Sequence, residues 1–284
     1  MASRDLESLE KEVVRIAENA GAKALAVSFY DYESRISWSY HGDRWFHAAS
    51  TIKVPILAGV LGAVDRGAFS LESRLHVRNR FHSVADGEPF RVDSGRDANS
   101  EVHQAIGRTL KIEQLAFHMI VTSSNLATNL LMELVGIDRM QELLTELKLE
   151  GIEVRRGVED ERAFDKGLNN RVTAGGMTEL LRKIVDGTAF SVEASAKMLE
   201  ILNEQEFRRG IPAGLPQGAK VANKTGEIST VAHDVGIVYL PGRKPYVLVI
   251  LTEWDPDGSG RSETIASVSR EVYRHLVKGE AIDD

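Results

Sequence analysis

The chain has 284 residues, 43% of them hydrophobic, and a formal net charge of −7, enough for one large or two intermediate units around a substantial core. The acidic balance without long like-charge runs argues against nucleic acid as a partner, and no stretch approaches the ~20 apolar residues that span a bilayer. There is no cysteine, hence no disulfide or thiolate site, and the eight histidines show no metal-ligand spacing, so no metal and no cofactor are expected.

Leu6 to about Asn19 predicts an amphipathic helix, not an apolar signal segment. With Met1 as the native start, the protein is expected to be cytoplasmic. Lys23 to Tyr30 and Arg35 to Tyr40 read as a β-hairpin across Asp31-Tyr32-Glu33-Ser34. The apolar run Val54, Ile56, Leu57, Val60 and Leu61 predicts a helix from about His47 to Leu61, with Pro55 tolerated near its first turn. Asn79 to Ser100, with Gly87, Pro89, Gly95, four acidic residues and few apolar ones, reads as a long loop of the kind that forms lids or binding surfaces, with Phe81 and Phe90 as wall or anchor. Two apolar helical patterns, Ile112 to Ile120 and Leu126 to Val135, flank a short polar break. Helical patterns dominate to Asn203. Val235 to Tyr239 and Tyr246 to Leu251 then read as strands around Pro241-Gly242-Arg243, and Ser262 to Val277 as a final helix.

This order implies an α/β (α+β) fold: an antiparallel sheet built from both termini, residues 1–45 and 205–284, and an inserted all-helical domain, residues 46–204, with the active site in the cleft between them.

Three short stretches carry chemistry. Ser50-Thr51-Ile52-Lys53 supplies a hydroxyl and a base three residues apart, on one face if the segment is helical. A lysine serves as that base only if burial or nearby cations lower its pKa, and the apolar neighbours of Lys53 favour burial. At the helix N-terminus the backbone NH of Ser50 forms half of an oxyanion hole. The competing reading is a serine cap followed by a solvated lysine. Ser123-Ser124-Asn125 occupies the polar break, where Ser123 relays a proton to a leaving group and the Asn125 amide holds an acyl-side amide; read alone it is an ordinary N-cap. Lys224-Thr225-Gly226 follows the strand-like Val221-Ala222, with Lys224 as a fixed cation for a substrate carboxylate and Thr225 beside it; the alternative is a strand-end turn.

With these stretches in this order, the chain resembles the class A β-lactamases and their relatives among penicillin-binding proteins and serine hydrolases. Phe46 to Ile56 is similar to that family's nucleophile helix, Ser123 to Leu131 to its Ser-Asp-Asn segment, and Arg171 to Ala174 with Met177 to Leu181 to the helix entry after its Ω-loop. Val221 to Gly226 matches its Lys-Thr-Gly strand. The resemblance implies Ser50 as nucleophile, Lys53 as base or relay and Ser123 as second relay. It makes Asn125, Lys224, Thr225 and Gly226 substrate-binding, and the NH groups of Ser50 and Glu227 the oxyanion hole. The implied partner is a small acyl substrate such as a β-lactam.

Three positions depart from the family pattern. Ser124 stands where class A enzymes usually carry Asp. No Glu-x-x-Leu-Asn pattern exists between Arg155 and Asn170. Glu159 lies about as far beyond Ser123 as the family's glutamate does, and Asn129 matches a family asparagine that helps hold that glutamate. The resemblance thus makes Glu159 the first candidate for the deacylating base, ahead of Asp160 and Glu161, with surface charge as the other reading of all three. Glu227 replaces a small or polar residue; its charge near Lys224 would favour neutral or cationic substrates, and the alternative is that its side chain points away and only its NH serves the site. The expected activity is β-lactam hydrolysis through an acyl-enzyme. The alternatives are an esterase, peptidase or acyl transferase on the same scaffold, or a non-catalytic ligand-binding relative. His233-Asp234 reads as a strand-entry turn, with a supporting pair behind the site as the other possibility.

Overall fold

A computed structural model describes residues 3–98 and 100–278. Its helices are α1 (Ser3–Asn19), α2 (Lys53–Asp65), α3 (Glu101–Gln104), α4 (Ile112–Val121), α5 (Asn125–Val135), α6 (Ile137–Glu146), α7 (Glu161–Asp165), α8 (Ala174–Asp186), α9 (Val192–Asn203) and α10 (Arg261–Lys278). The principal strands are β1 (Ala24–Asp31), β2 (Ser37–Tyr40), β3 (Lys220–Ile228), β4 (Val231–Tyr239) and β5 (Tyr246–Glu253). Among the described residues the chain divides into two compact units, 3–51 with 172–182 and 207–278, and 52–171 with 183–206. One dividing line thus falls after Thr51, and another inside α8.

The first unit is an antiparallel sheet in the order β3-β4-β5-β1-β2, so strands from both ends of the chain lie side by side. Ala24 pairs with Glu253 and Asp31 with Tyr246 along the β1–β5 seam. Alternation puts Leu25, Val27 and Phe29 of β1 and Tyr246, Leu248 and Ile250 of β5 into one core with Leu9 and Val13 of α1 and Val268 and Val272 of α10.

The second unit is built around α2, whose residues Lys53 to Ala63 are all buried. A helix apolar on every side must be enclosed, and α4, α5, α6 and α9 surround this one. Gly59 sits at a tight contact, since a Cβ there would lie 3.0 Å from the Met140 side chain of α6. The stretch expected as a loop from Asn79 to Ser100 contains a short hairpin, Phe81–His82 with Pro89–Phe90, whose two phenylalanine rings pack 5.8 Å apart. The Asn79 amide ties it by two 2.8 Å hydrogen bonds to the backbone of Val92. Among the described residues no helix is long and apolar enough to cross a membrane.

Candidate functional site

In the sheet unit, Ser50 lies in a 3-10 turn, Ala49–Ile52, that runs on into α2, so the helix expected from His47 opens as a tighter turn. Ala49 enters it at φ +44°, a left-handed conformation that costs on the order of 1 kcal/mol outside glycine. The His47 Nδ1 accepts the Ala49 NH at 3.1 Å, and the Thr51 hydroxyl donates to Ala48 O at 2.6 Å. These local bonds hold the turn that presents Ser50. The backbone of Gly226 backs directly onto it: a Cβ on Gly226 would lie 2.9 Å from Ser50 N and 2.8 Å from Thr51 N. Only glycine permits that approach.

His233 and Asp234 lie within β4, not in a turn before it, and support this region from behind. The His233 Nδ1 lies 3.1 Å from the Thr252 N and 2.8 Å from Ala232 O, and its Nε2 lies 2.9 Å from His47 O. Burial lowers the His233 pKa to about 4, so the ring is neutral. Asp234 accepts from Ile211 N at 2.8 Å and from the Asn223 amide at 2.9 Å. Burial pushes its carboxyl up to about 6, against those bonds and the nearby charges of Lys224 and Arg208. Lys224 is buried, and its Nζ donates to Thr225 O at 2.8 Å. Alternation along β3 puts Thr225 and Glu227 on the same face, opposite Lys224 and Gly226. Glu227 is exposed, with its carboxylate 3.7 Å from Arg261, whose guanidinium also donates to Ile228 O and Ser229 O.

In the helical unit, Lys53 is fully buried at the start of α2. Its Nζ donates to Ser123 O at 2.7 Å, Ser123 Oγ at 3.1 Å and Asn125 Oδ1 at 2.8 Å. Burial lowers its pKa to about 7, opposed by the charges of Asp97 and Glu159. The ammonium is therefore poised to lose a proton near neutrality. Ser123 has φ +57°, a strained turn between α4 and α5 that its neighbours must hold in place. Ser124 caps α5, accepting the Ala127 NH at 3.2 Å.

Glu159 comes to the same cluster. Its carboxylate accepts from the Asn125 amide at 2.7 Å and from Asp93 N at 3.0 Å, with Arg96 at 3.8 Å. The Asn129 amide clamps this segment, with both of its bonds to the Val158 backbone at 2.8 Å. Asp160 and Glu161 are engaged elsewhere. Asp160 caps α7 through the Ala163 NH and accepts Val84 N, while Glu161 pairs with Arg96 at 2.7 Å on the surface.

Sequence reasoning passed over Asp97 and Asp93. Asp97 sits beneath the Ser124-Asn125 turn and accepts from the Asn125 NH, from Ser124 Oγ at 3.0 Å and from Leu126 N at 3.3 Å. Nothing in the order of residues sets it apart from the other acidic residues of its loop.

Comparison with known proteins agrees over nearly the whole length. A family model described as "Beta-lactamase enzyme family" matches residues 8–276. A beta-lactamase of Rhodobacter capsulatus is 24% identical over 280 residues, spanning 96% of this chain and 89% of that protein. A solved structure of a PBP-A variant, an acyl-enzyme complex with penicillin G, aligns at TM-score 0.82 and 27% identity over 96% of this chain and 97% of that one. A beta-lactamase from Sphaerobacter thermophilus aligns at TM-score 0.79 and 24% identity, over 95% of this chain and 96% of that one.

Proposed function

The chain belongs to the β-lactamase enzyme family, and from that premise we propose that it is a serine acyl hydrolase that opens β-lactam amides through an acyl-enzyme on Ser50. The observation that carries this reading is Lys53: a buried amine with a pKa near 7, bonded to the Ser123 hydroxyl and to Asn125. A lysine in that state can accept a proton at neutral pH, which a solvated lysine cannot.

In the proposed reaction, Ser50 Oγ attacks the lactam carbonyl and its proton passes to Lys53. The NH groups of Ser50 and Glu227 stabilise the developing oxyanion. The C–N bond breaks as the ring nitrogen takes a proton through Ser123. Asn125, Lys224 and Thr225 hold the substrate's amide and carboxylate, and Gly226 keeps the strand close to the Ser50 amide. Glu159 then takes a proton from water, the resulting hydroxide attacks the ester, and Ser50 leaves with its proton restored.

Glu227 favours a second reading, hydrolysis of neutral esters or peptides. Its exposed carboxylate shares the Thr225 face of β3, 3.7 Å from Arg261, so an anionic substrate held at Thr225 meets a like charge there.

A time course of intact-protein mass after adding penicillin G, with Ser50→Ala as control, tests the proposal. An adduct that forms and decays on the unaltered chain only is the expected result. A persistent adduct would mean acylation without an effective deacylating base. No adduct, with turnover of neutral esters, would favour the second reading, and binding without any adduct would leave a non-catalytic relative.

A further inference from the structure

We propose that Asp97, braced by His103, is a positioning residue that locks the Ser123-Ser124-Asn125 turn and supplies a fixed negative charge to Lys53. The inference rests on the reading of Lys53 as the proton acceptor and deepens it.

The Asp97 side chain has 0% exposure. A carboxylate buried that far costs several kcal/mol unless hydrogen bonds replace its water. Four donors do so: the NH groups of Asn125 and Leu126, the Ser124 hydroxyl and the His103 Nε2, the last at 3.0 Å. Because the carboxylate accepts, His103 must carry its proton on Nε2.

The arrangement serves more than burial. Asn125 and Leu126 open α5, where NH groups lack partners within the helix and the macrodipole favours an anion. Ser124 already caps that helix through the Ala127 NH, and its hydroxyl proton goes on to Asp97. Asp97 thus grips the Ser124-Asn125-Leu126 backbone, while Ser123 and Asn125 hold Lys53. Displacing the carboxylate frees the strained Ser123 to relax and moves both partners of the lysine. The other charged or titratable groups around the turn are Glu159, which binds Asn125; Arg96, drawn toward Glu161; and His118, whose Nε2 lies 3.4 Å from Glu101. Against the larger lowering by burial, Asp97 and Glu159 are the charges that raise the Lys53 pKa.

The test reads Lys53 directly, by NMR titration of the full chain carrying 13C,15N-lysine, beside the pH dependence of acylation by penicillin G. Asp97→Asn should lower the Lys53 midpoint and move the acid limb of acylation with it. A midpoint equal to that of the unaltered chain, with acylation lowered uniformly at all pH, would leave only a structural role and overturn the charge assignment. His103→Gln keeps the carboxylate and should leave the midpoint in place; a shift as large as that of Asp97→Asn would overturn the assignment to Asp97. Should Asp97→Asn not fold, Asp97→Glu decides. It should hold the midpoint but slow acylation about 10- to 100-fold by displacing the turn. Unaltered acylation overturns the positioning half and a fallen midpoint the charge half. Because the titration needs no turnover, the charge assignment is readable even if penicillin fails to acylate Ser50.

Discussion

Lys53 and Glu159 divide the proposed reaction between them, and each makes a separate prediction. A lysine whose pKa burial lowers to about 7 is neutral above that value and charged below it. Acylation should therefore rise with pH through a midpoint near 7 and then level off. Rapid-quench mass spectrometry from about pH 5 to about pH 9 checks this, and a profile still climbing at the upper end would assign the proton to another group. Lys53→Arg keeps the charge permanently and should slow acylation about 10²- to 10⁴-fold. Glu159→Gln should act on the later step, slowing loss of the adduct by a similar 10²- to 10⁴-fold while acylation persists. If both steps fall together, Glu159 serves through its bond to Asn125 and not as a base for water.

Within β4, two adjacent buried groups oppose one another in pH dependence. The Asp234 carboxyl is raised from 3.8 to about 6, so its contribution is intact at low pH and is lost as pH rises through about 6. His233 is lowered from 6.5 to about 4, so its contribution is intact above 6.5 and is lost as pH falls toward 4. At 1.36 kcal/mol per unit, each is worth roughly 3 kcal/mol, and between about pH 4 and 6.5 they nearly cancel. Asp234→Asn should then make stability rise with pH over that window relative to the unaltered chain. His233→Asn should make it fall. Urea unfolding at the two ends of the window measures both slopes, and slopes of the same sign would show that the two groups are not independent. Neither effect was legible in the sequence, where His-Asp before a strand resembles a turn. Only the β4 ladder, with its pairing of Asp234 to Ile250 and His233 to Leu251, places both side chains in the interior.

At the scale of the whole molecule, the sheet unit is assembled from separate chain segments, and β2 and β3 are joined only through Tyr40 to Lys220. Closing an unstructured connection of that length costs roughly 4–5 kcal/mol of chain entropy, which ordering of the intervening helices reduces. The sheet is therefore expected to unfold together with the inserted helices. All three tryptophans, Trp38, Trp45 and Trp254, lie in the sheet unit, whereas α2, α4, α5, α6 and α9 belong to the other. Tryptophan fluorescence and far-ultraviolet ellipticity should give one common urea midpoint. Two separated midpoints would show that the sheet closes without the helices.

The order of residues records short-range physics. Periodicity located α1, α4, α5 and α10 to within a few residues, because which side chains share a helix face follows from spacing alone. The same spacing logic singled out Ser50 and Lys53, and a short polar break between two apolar helices marked Ser123 and Asn125. The ordered motifs carried the family resemblance, and Glu159 was preferred over Asp160 and Glu161 by its distance from Ser123. Tertiary structure alone decided that Lys53 is buried enough to titrate near 7, that Asp160 and Glu161 are occupied elsewhere, and that Asp97 reaches the α5 N-terminus from a distant loop. The reason is physical: a pKa depends on how much water is removed and which charges remain near, and a loop's partners depend on how the chain closes upon itself, neither of which neighbouring residues encode.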